Sequence, residues 1–315
     1  MKKYCFKIAD MYLHMDIERE HIASELFPFV TEDHRDDALP ALFVSHKPTV
    51  DHKDPQSTPV VHNDYLHLYR EDDLYILKYP GEPGIETVVF SPDKNDVTSG
   101  SADIYYPPSA AAGDISHGTL MALRLILSYF YQQQGKYMIH AASFIYRKKV
   151  WLVSAKSGTG KSTLVRHIKE VCPDEVSDYN GDLALISNWK KSDGSKSCAK
   201  IYGIPWNGTS GIFSTDDREL GGIFILHRAD RTLPDQASVV LSDDTNTVYT
   251  MPDDERALSV MQRLISPSWD ETQLLKNKCF SEDMIATIPL RHIDATNDIS
   301  AGDLLHRAID KLLSQ

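Results

Sequence analysis

Apolar and polar positions alternate through much of the first hundred residues. Tyr4–Ile17 carries short alternations such as Tyr12-Leu13-His14-Met15, and Ala41–Val44 is a brief apolar run. Tyr65–Arg70 and Asp73–Tyr79 alternate on either side of Glu71-Asp72, which predicts a hairpin. Another strand, Glu86–Ser91, follows the turn sequence Pro80-Gly81-Glu82-Pro83-Gly84. Ser45–Asn63 is polar and rich in turn formers, so a surface loop is expected there. The texture changes at Pro107-Pro108 and Ala110–Gly113. Beyond it, Leu120, Leu123, Leu127 and Phe130 recur at helical spacing within Ser116–Gln134, with Gly135 as the C-cap. Tyr137–Ser143, Phe144–Tyr146 and Val150–Ser154 predict three short strands, with Lys148-Lys149 at the turn before the last. Lys161–Glu170 predicts a helix ended by Pro173. Leu183–Ser187, Ala199–Tyr202, Gly222–Leu226 and Val239–Leu241 predict further strands, and Arg256–Ile265 and Ala301–Leu313 further helices. The pattern divides the chain into a β-rich domain over residues 1–110 and an α/β domain over 111–315.

Composition narrows the classes. The 315 residues are 42% hydrophobic and 25% charged, which suits globular domains and excludes wholesale disorder. The formal charge is −12, with 45 acidic against 33 basic residues, the wrong sign for gripping nucleic acid or an anionic membrane. No apolar run approaches the roughly 18 residues of a membrane span, and Met1-Lys2-Lys3-Tyr4 opens no signal-peptide core. Cys5, Cys172, Cys198 and Cys279 are scattered, without CxxC spacing, so neither a disulfide framework nor a structural zinc site is expected. A cytoplasmic protein is the expectation.

One segment carries chemistry: Val150-Trp151-Leu152-Val153-Ser154, then Ala155-Lys156-Ser157-Gly158-Thr159-Gly160-Lys161-Ser162-Thr163. An apolar strand, a glycine-containing loop and Gly-Lys-Ser-Thr at a helix start form the context of a phosphate-binding loop. Glycines let backbone N–H groups converge on phosphate oxygens, and the helix N-terminus adds partial positive charge. In that context Ser157, Gly158, Thr159, Gly160, Lys161, Ser162 and Thr163 cradle a nucleoside triphosphate. Lys161 reaches the β- and γ-phosphates, and the Ser162 hydroxyl suits Mg²⁺. Ala155 replaces the first glycine of the usual GxxxxGK[ST] pattern. Upstream, His140 leads into the loop. Downstream, Asp178 and Asp182 flank Tyr179-Asn180-Gly181, and either acid could hold Mg²⁺ or accept a hydroxyl proton.

At these residues the chain resembles the HPr kinase/phosphorylase-like serine kinases, which share the phosphoenolpyruvate carboxykinase type of P-loop fold. The resemblance covers about residues 115–310. His140-Ala141-Ala142 resembles the family's histidine ahead of the loop, and Ser157–Thr163 its SGxGKS loop. Asn180-Gly181-Asp182 is similar to its Asp-Asp pair. Tyr202-Gly203-Ile204-Pro205-Trp206-Asn207-Gly208-Thr209-Ser210-Gly211 resembles the Gly-x-Pro-Trp-x-Gly segment of relatives outside the true HPr kinases. The fold implied is an α/β P-loop kinase domain of that type, preceded by a β-rich N-terminal domain. Carried over, Ser162 and Asp182 hold Mg²⁺, Lys161 neutralises phosphate charge, and His140 orients an acid near the γ-phosphate. The family's proton-accepting acid falls on Gly181. Asp178 could replace it, Asp182 could serve twice, or the hydroxyl could lose its proton late. Lys156 stands where true HPr kinases have Asp, and their basic substrate segment is not recognisable, so HPr itself is not the expected partner.

The resemblance implies an ATP- and Mg²⁺-dependent serine kinase acting on Ser or Thr of a small protein or precursor peptide. It also implies self-association, since relatives form hexamers. Two alternatives stand beside it: a small-molecule kinase for free serine or a similar alcohol, and a non-catalytic nucleotide-binding regulator. Among other signals, Arg218, Arg228 and Arg231 are candidates to meet γ-phosphate charge. Trp206 suits either core packing or a substrate cleft. Asp216-Asp217 and Asp243-Asp244 read as solvated turns.

Overall fold

The computed structural model describes residues 2–32, 39–49, 55–189, 198–229 and 232–314. The chain forms two compact units that divide between Gln134 and Gly135.

The N-terminal unit is built on β1 (Lys2–Ile8), β2 (Met11–Ile17), β3 (Ala41–Pro48), β4 (Val61–His62), β5 (His67–Glu71), β6 (Leu74–Lys78), β7 (Thr87–Pro92) and β8 (Gly100–Tyr106). They pair in the order β1-β2-β3-β8-β7-β6-β5-β4. The expected hairpin is β5–β6, with Leu68 opposite Leu77 and Asp72 at φ +53° in the turn. The expected loop after Ser45 is in part strand, because β3 runs on to Pro48 beside β8; its residues 50–54 lie outside those described. Helix α1 (Ala112–Gln133) belongs to this unit. The 110/111 division read from the sequence therefore differs from the structural one. The cause is packing: Phe130 and Tyr129 of α1 meet Phe90 and Tyr75 of the sheet, with ring centroids 6.1 and 5.1 Å apart. Gly100 has no room for a Cβ because the Phe130 ring lies 2.6 Å from where it would stand.

The described residues of the C-terminal unit form nine strands: β9 (Lys136–Tyr146), β10 (Lys149–Ser154), β11 (Ser177–Asn180), β12 (Leu183–Trp189), β13 (Cys198–Tyr202), β14 (Arg218–Arg228), β15 (Ser238–Ser242), β16 (Thr247–Thr250) and β17 (Leu290–Ala295). Tyr137–Tyr146, read as two strands, is continuous. Its first half pairs with β12 and its second half with β10 and β11. The turn between β9 and β10 lies at Arg147-Lys148, both at positive φ (51° and 66°), as a tight two-residue hairpin requires. Strands β10, β14 and β17 are parallel neighbours.

Alternation along these strands builds two cores. Trp151, Val153, Phe224, Leu226 and Ile293 face Leu164, Val165 and Ile168 of α2 (Lys161–Val171) and Leu304, Leu305 and Ile309 of α5 (Ile299–Leu313). Leu152, Ile223, Ile225 and Leu290 face Val260 of α3 (Asp253–Met261) and Phe280 and Met284 of α4 (Glu271–Thr287). Each such fully buried aliphatic side chain contributes about 1.5–3 kcal/mol. The mixed α/β architecture expected of residues 111–315 is present from residue 135 onward. No helix among the described residues is long and apolar enough to cross a membrane.

Candidate functional site

Strand β10 ends at Ser154, whose hydroxyl donates to the His140 carbonyl at 2.6 Å and ties the loop entrance to β9. Ala155 follows fully buried, and its φ is not positive, so the methyl group fits where the usual pattern has glycine. Gly158 and Gly160 are different: they adopt φ of +75° and +111°, values that L side chains avoid. The second of these turns the chain into α2. Its first amides, at Lys161, Ser162 and Thr163, have no intrahelical acceptors and face an N-cap without a side chain. The helix stays in place because its opposite stripe, Leu164, Val165 and Ile168, is buried.

Lys161 is half-buried at this helix start. Burial pushes its pKa below the ordinary lysine value; the Asp182 carboxylate opposes that shift and Arg263 reinforces it. Asp182 in turn lies beside His140, with Nε2 to Oδ1 at 3.2 Å. The register explains the meeting. His140 stands opposite Leu183 across β9 and β12, and the Ala141 amide donates to the Asp182 carbonyl at 2.9 Å. Buried Asn180 fixes the turn, its Oδ1 accepting from the amides of Asp182 and Leu183 at 3.0 and 3.2 Å.

The segment after β13 closes over this turn. Gly208, at φ +60°, packs so tightly that a Cβ would sit 2.9 Å from the Asp182 carboxyl carbon. A Cβ on Gly181 would meet the Ser210 hydroxyl oxygen at 2.0 Å. No carboxylate fits at 181 without moving Ser210, which itself donates to the Asn207 carbonyl at 2.7 Å. Trp206 is buried.

The structure thus brings together the loop residues, Lys161, His140 and Asp182. It does not bring Asp178 to them. Asp178 pairs in register with Phe144, four positions along β9 from His140, or about 13 Å. Its carboxylate is ion-paired with Lys169, two turns down α2. Arg218 lies at the far end of β14, paired with Asp216 at 3.4 Å. Arg228, at the near end, lines cavities beside the loop. Arg231 is outside the described residues.

Arg263 is the residue that sequence patterning missed. Residues 263–265 run along the edge of β9: the His140 amide donates to the Arg263 carbonyl at 3.0 Å and the Ile265 amide to the Met138 carbonyl at 2.8 Å. Burial pushes the pKa of the half-buried Arg263 below the ordinary arginine value, and its Nε is buried without a hydrogen-bond partner. Arg263 lines two cavities on this side of the loop. One, about 520 Å³, also holds Lys156, His227 and Arg228; the other, about 440 Å³, holds His140 and Lys156. His227 is braced by buried His292, Nε2 to Nδ1 at 3.0 Å. Lys156, Arg228 and Arg263 carry no ion pair among the described residues, so their charges are available to an anion. No cluster of three or more His, Cys, Asp or Glu side chains that could hold a metal occurs among the described residues.

No family model matches the chain, and no curated protein matches it. Among solved structures, the Hpr(Ser) kinase/phosphatase from Coxiella burnetii aligns over 56% of this chain and 98% of its own, at 11% identity and a TM-score of 0.28. A similarity at that level carries no conclusion about fold or activity, which rest on the geometry above.

Proposed function

We propose that the chain is a phosphotransferase that moves the γ-phosphate of Mg-ATP to a hydroxyl, with Ser or Thr of a small protein or precursor peptide as the acceptor. One observation supports this above the rest: Lys161, at the helix start behind two left-handed glycines, is electrostatically coupled to Asp182, which is itself held by His140.

In this reading Lys161 and the first amides of α2 hold the β- and γ-phosphate oxygens. The Ser162 hydroxyl and the Asp182 carboxylate are hard oxygen donors of the kind Mg²⁺ takes, and the ion would neutralise phosphate charge there. His140 keeps the Asp182 carboxylate aimed. The acceptor oxygen bonds to the γ-phosphorus as the bond to the β,γ-bridging oxygen breaks. The bridging oxygen leaves on ADP with the electron pair, and the hydroxyl proton passes to Asp182 or late to water. Position 181 offers no base, so positioning and electrostatics carry the reaction. Arg263, Arg228 and Lys156 are placed to meet the charge that develops on the transferred group.

The same Gly181 favours a second reading, a nucleotide-binding regulator that transfers nothing. Incubating wild type and Lys161→Ala with Mg²⁺, γ-labelled ATP and an extract of the source cells separates them. The first reading expects a labelled protein or peptide with wild type only. Label confined to small molecules points to a free alcohol as acceptor. Heat stabilisation by Mg-ATP without any transfer supports the regulator.

A further inference from the structure

We propose that Thr209 is a modification site that the chain phosphorylates itself, in cis, its hydroxyl accepting the γ-phosphate. The proposal rests on the phosphotransferase reading above and adds an acceptor, within the chain, to that same site.

Asn207-Gly208-Thr209-Ser210 folds as a tight turn over Asp182. The Ser210 amide donates to the Asn207 carbonyl at 3.3 Å and closes it. Gly208 is left-handed, at φ +60°, and Thr209 is not, the pattern of a turn that requires glycine at its first central position. Both ends of the turn are anchored. Asn207 is buried, and its Nδ2 donates to the Pro205 carbonyl at 3.3 Å. The Ser210 hydroxyl donates to the Asn207 carbonyl at 2.7 Å and accepts from the Ile212 amide at 3.1 Å.

Thr209 is the tip of this turn. Its side chain is exposed, and its hydroxyl makes no hydrogen bond among the described residues. The preceding glycine fixes what lies next to it. A Cβ on Gly208 would stand 2.9 Å from the Asp182 carboxyl carbon and 3.1 Å from Oδ2. Successive Cα atoms are about 3.8 Å apart, so the Thr209 Cα lies within about 8 Å of that carboxyl carbon. The γ-phosphate is held at Asp182 in the reading above. The hydroxyl therefore has only a few ångström to cover to an attack distance of about 3–3.5 Å, without the entropy cost of capturing a separate acceptor. Ser210 does not compete: its hydroxyl is engaged twice and lies against Gly181, where a Cβ would meet it at 2.0 Å.

In the step itself, Thr209 Oγ1 bonds to the γ-phosphorus as the bond to the β,γ-bridging oxygen breaks. The bridging oxygen leaves on ADP with the electron pair, and the hydroxyl proton passes to Asp182 or to water. The turn, neutral before, then carries about −1.5 to −2 charge at pH 7 beside Asp182.

The test incubates the purified full chain with Mg²⁺ and γ-labelled ATP, without extract, and locates the label by peptide mass spectrometry. Wild type should gain one phosphoryl group, at Thr209, and Lys161→Ala none. Thr209→Val, nearly isosteric, should lose labelling by at least about 20-fold, and Thr209→Ser should keep it within about fivefold. Mg-ATP affinity of Thr209→Val within about twofold of wild type, by calorimetry, shows that the site remains folded. If Thr209→Val loses ATP binding as well, Thr209→Ser decides, by carrying its label at position 209 or not. The fraction labelled per minute should be unchanged on tenfold dilution, as transfer within one chain requires. Label that persists in Thr209→Val, or a rate that falls in proportion to protein concentration, overturns the proposal. A chain that stays unlabelled while it labels a component of the cell extract overturns it too, and leaves the phosphotransferase reading standing. No transfer to the chain or to any component of the extract overturns both.

Discussion

The two units hold titratable groups out of water in opposite ways. In the N-terminal unit, His46 is 2% exposed, its Nε2 lies 3.0 Å from Thr119 Oγ1, and its ring stacks on Tyr106 at 4.5 Å. Burial, with His21 nearby, pushes its pKa down to about 3. The ring is therefore neutral at pH 7, hydrogen-bonded and packed: a histidine in the service of a core. In the C-terminal unit, Lys161 and Arg263 are also pushed down by burial, yet neither has an ion pair among the described residues. Their charge is kept at a desolvation cost that nothing among the described residues fully offsets. A cation in that state gains most when an anion arrives. The comparison teaches that burial of a titratable group is not the mark of a site; burial of a cation whose desolvation is only partly offset, as that of Lys161 is by Asp182, is.

The largest effect is expected at Asp182. Asp182→Asn keeps the shape but removes the charge that opposes the shift at Lys161 and faces His140. Phosphoryl transfer should fall by about 10³-fold or more, on the order of 4 kcal/mol of transition-state stabilisation. Asp178→Asn, its control, should leave the rate within about twofold, since Asp178 is engaged by Lys169. Equal losses in the two variants would break the assignment of the acid.

A smaller effect is expected at His46. Its folded pKa is below its unfolded one, so the unfolded chain binds more protons below the unfolded value. Stability is full above that value and is lost as the pH falls towards about 3. Between pH 7 and pH 5 the loss from this group should be about 2 kcal/mol. His46→Gln, neutral at every pH and able to bond Thr119, should remove that part of the acid sensitivity. Urea unfolding of the intact chain at the two pH values reads it, and an unchanged pH difference would show that His46 is not the group responsible.

The sequence makes plain what is local. Loop, helix start and the strand leading in are contiguous, and Gly158 and Gly160 are required by their backbone angles. The meeting of His140 with Asp182 needs only one strand register. Arg263 was not legible, because an edge pairing with β9, and no motif, carries it to the site. Helix α4 was missed because its buried face includes Gln273, Asn277 and Ser281, which blur its apolar stripe. The unit boundary was misplaced because the apolar face of α1 does not announce which sheet it will cover.

The central claim is that Lys161 is a half-buried cation waiting for phosphate. Calorimetric binding of Mg-ATP to wild type and Lys161→Ala across alkaline pH tests it most directly. The account predicts that Lys161→Ala loses about 100-fold or more in affinity. It also predicts that wild-type affinity falls as the pH rises through the depressed Lys161 pKa, below the ordinary 10.5, because the neutral amine no longer attracts the anion. Equal affinity in the two proteins, with a flat pH profile in wild type, would contradict it.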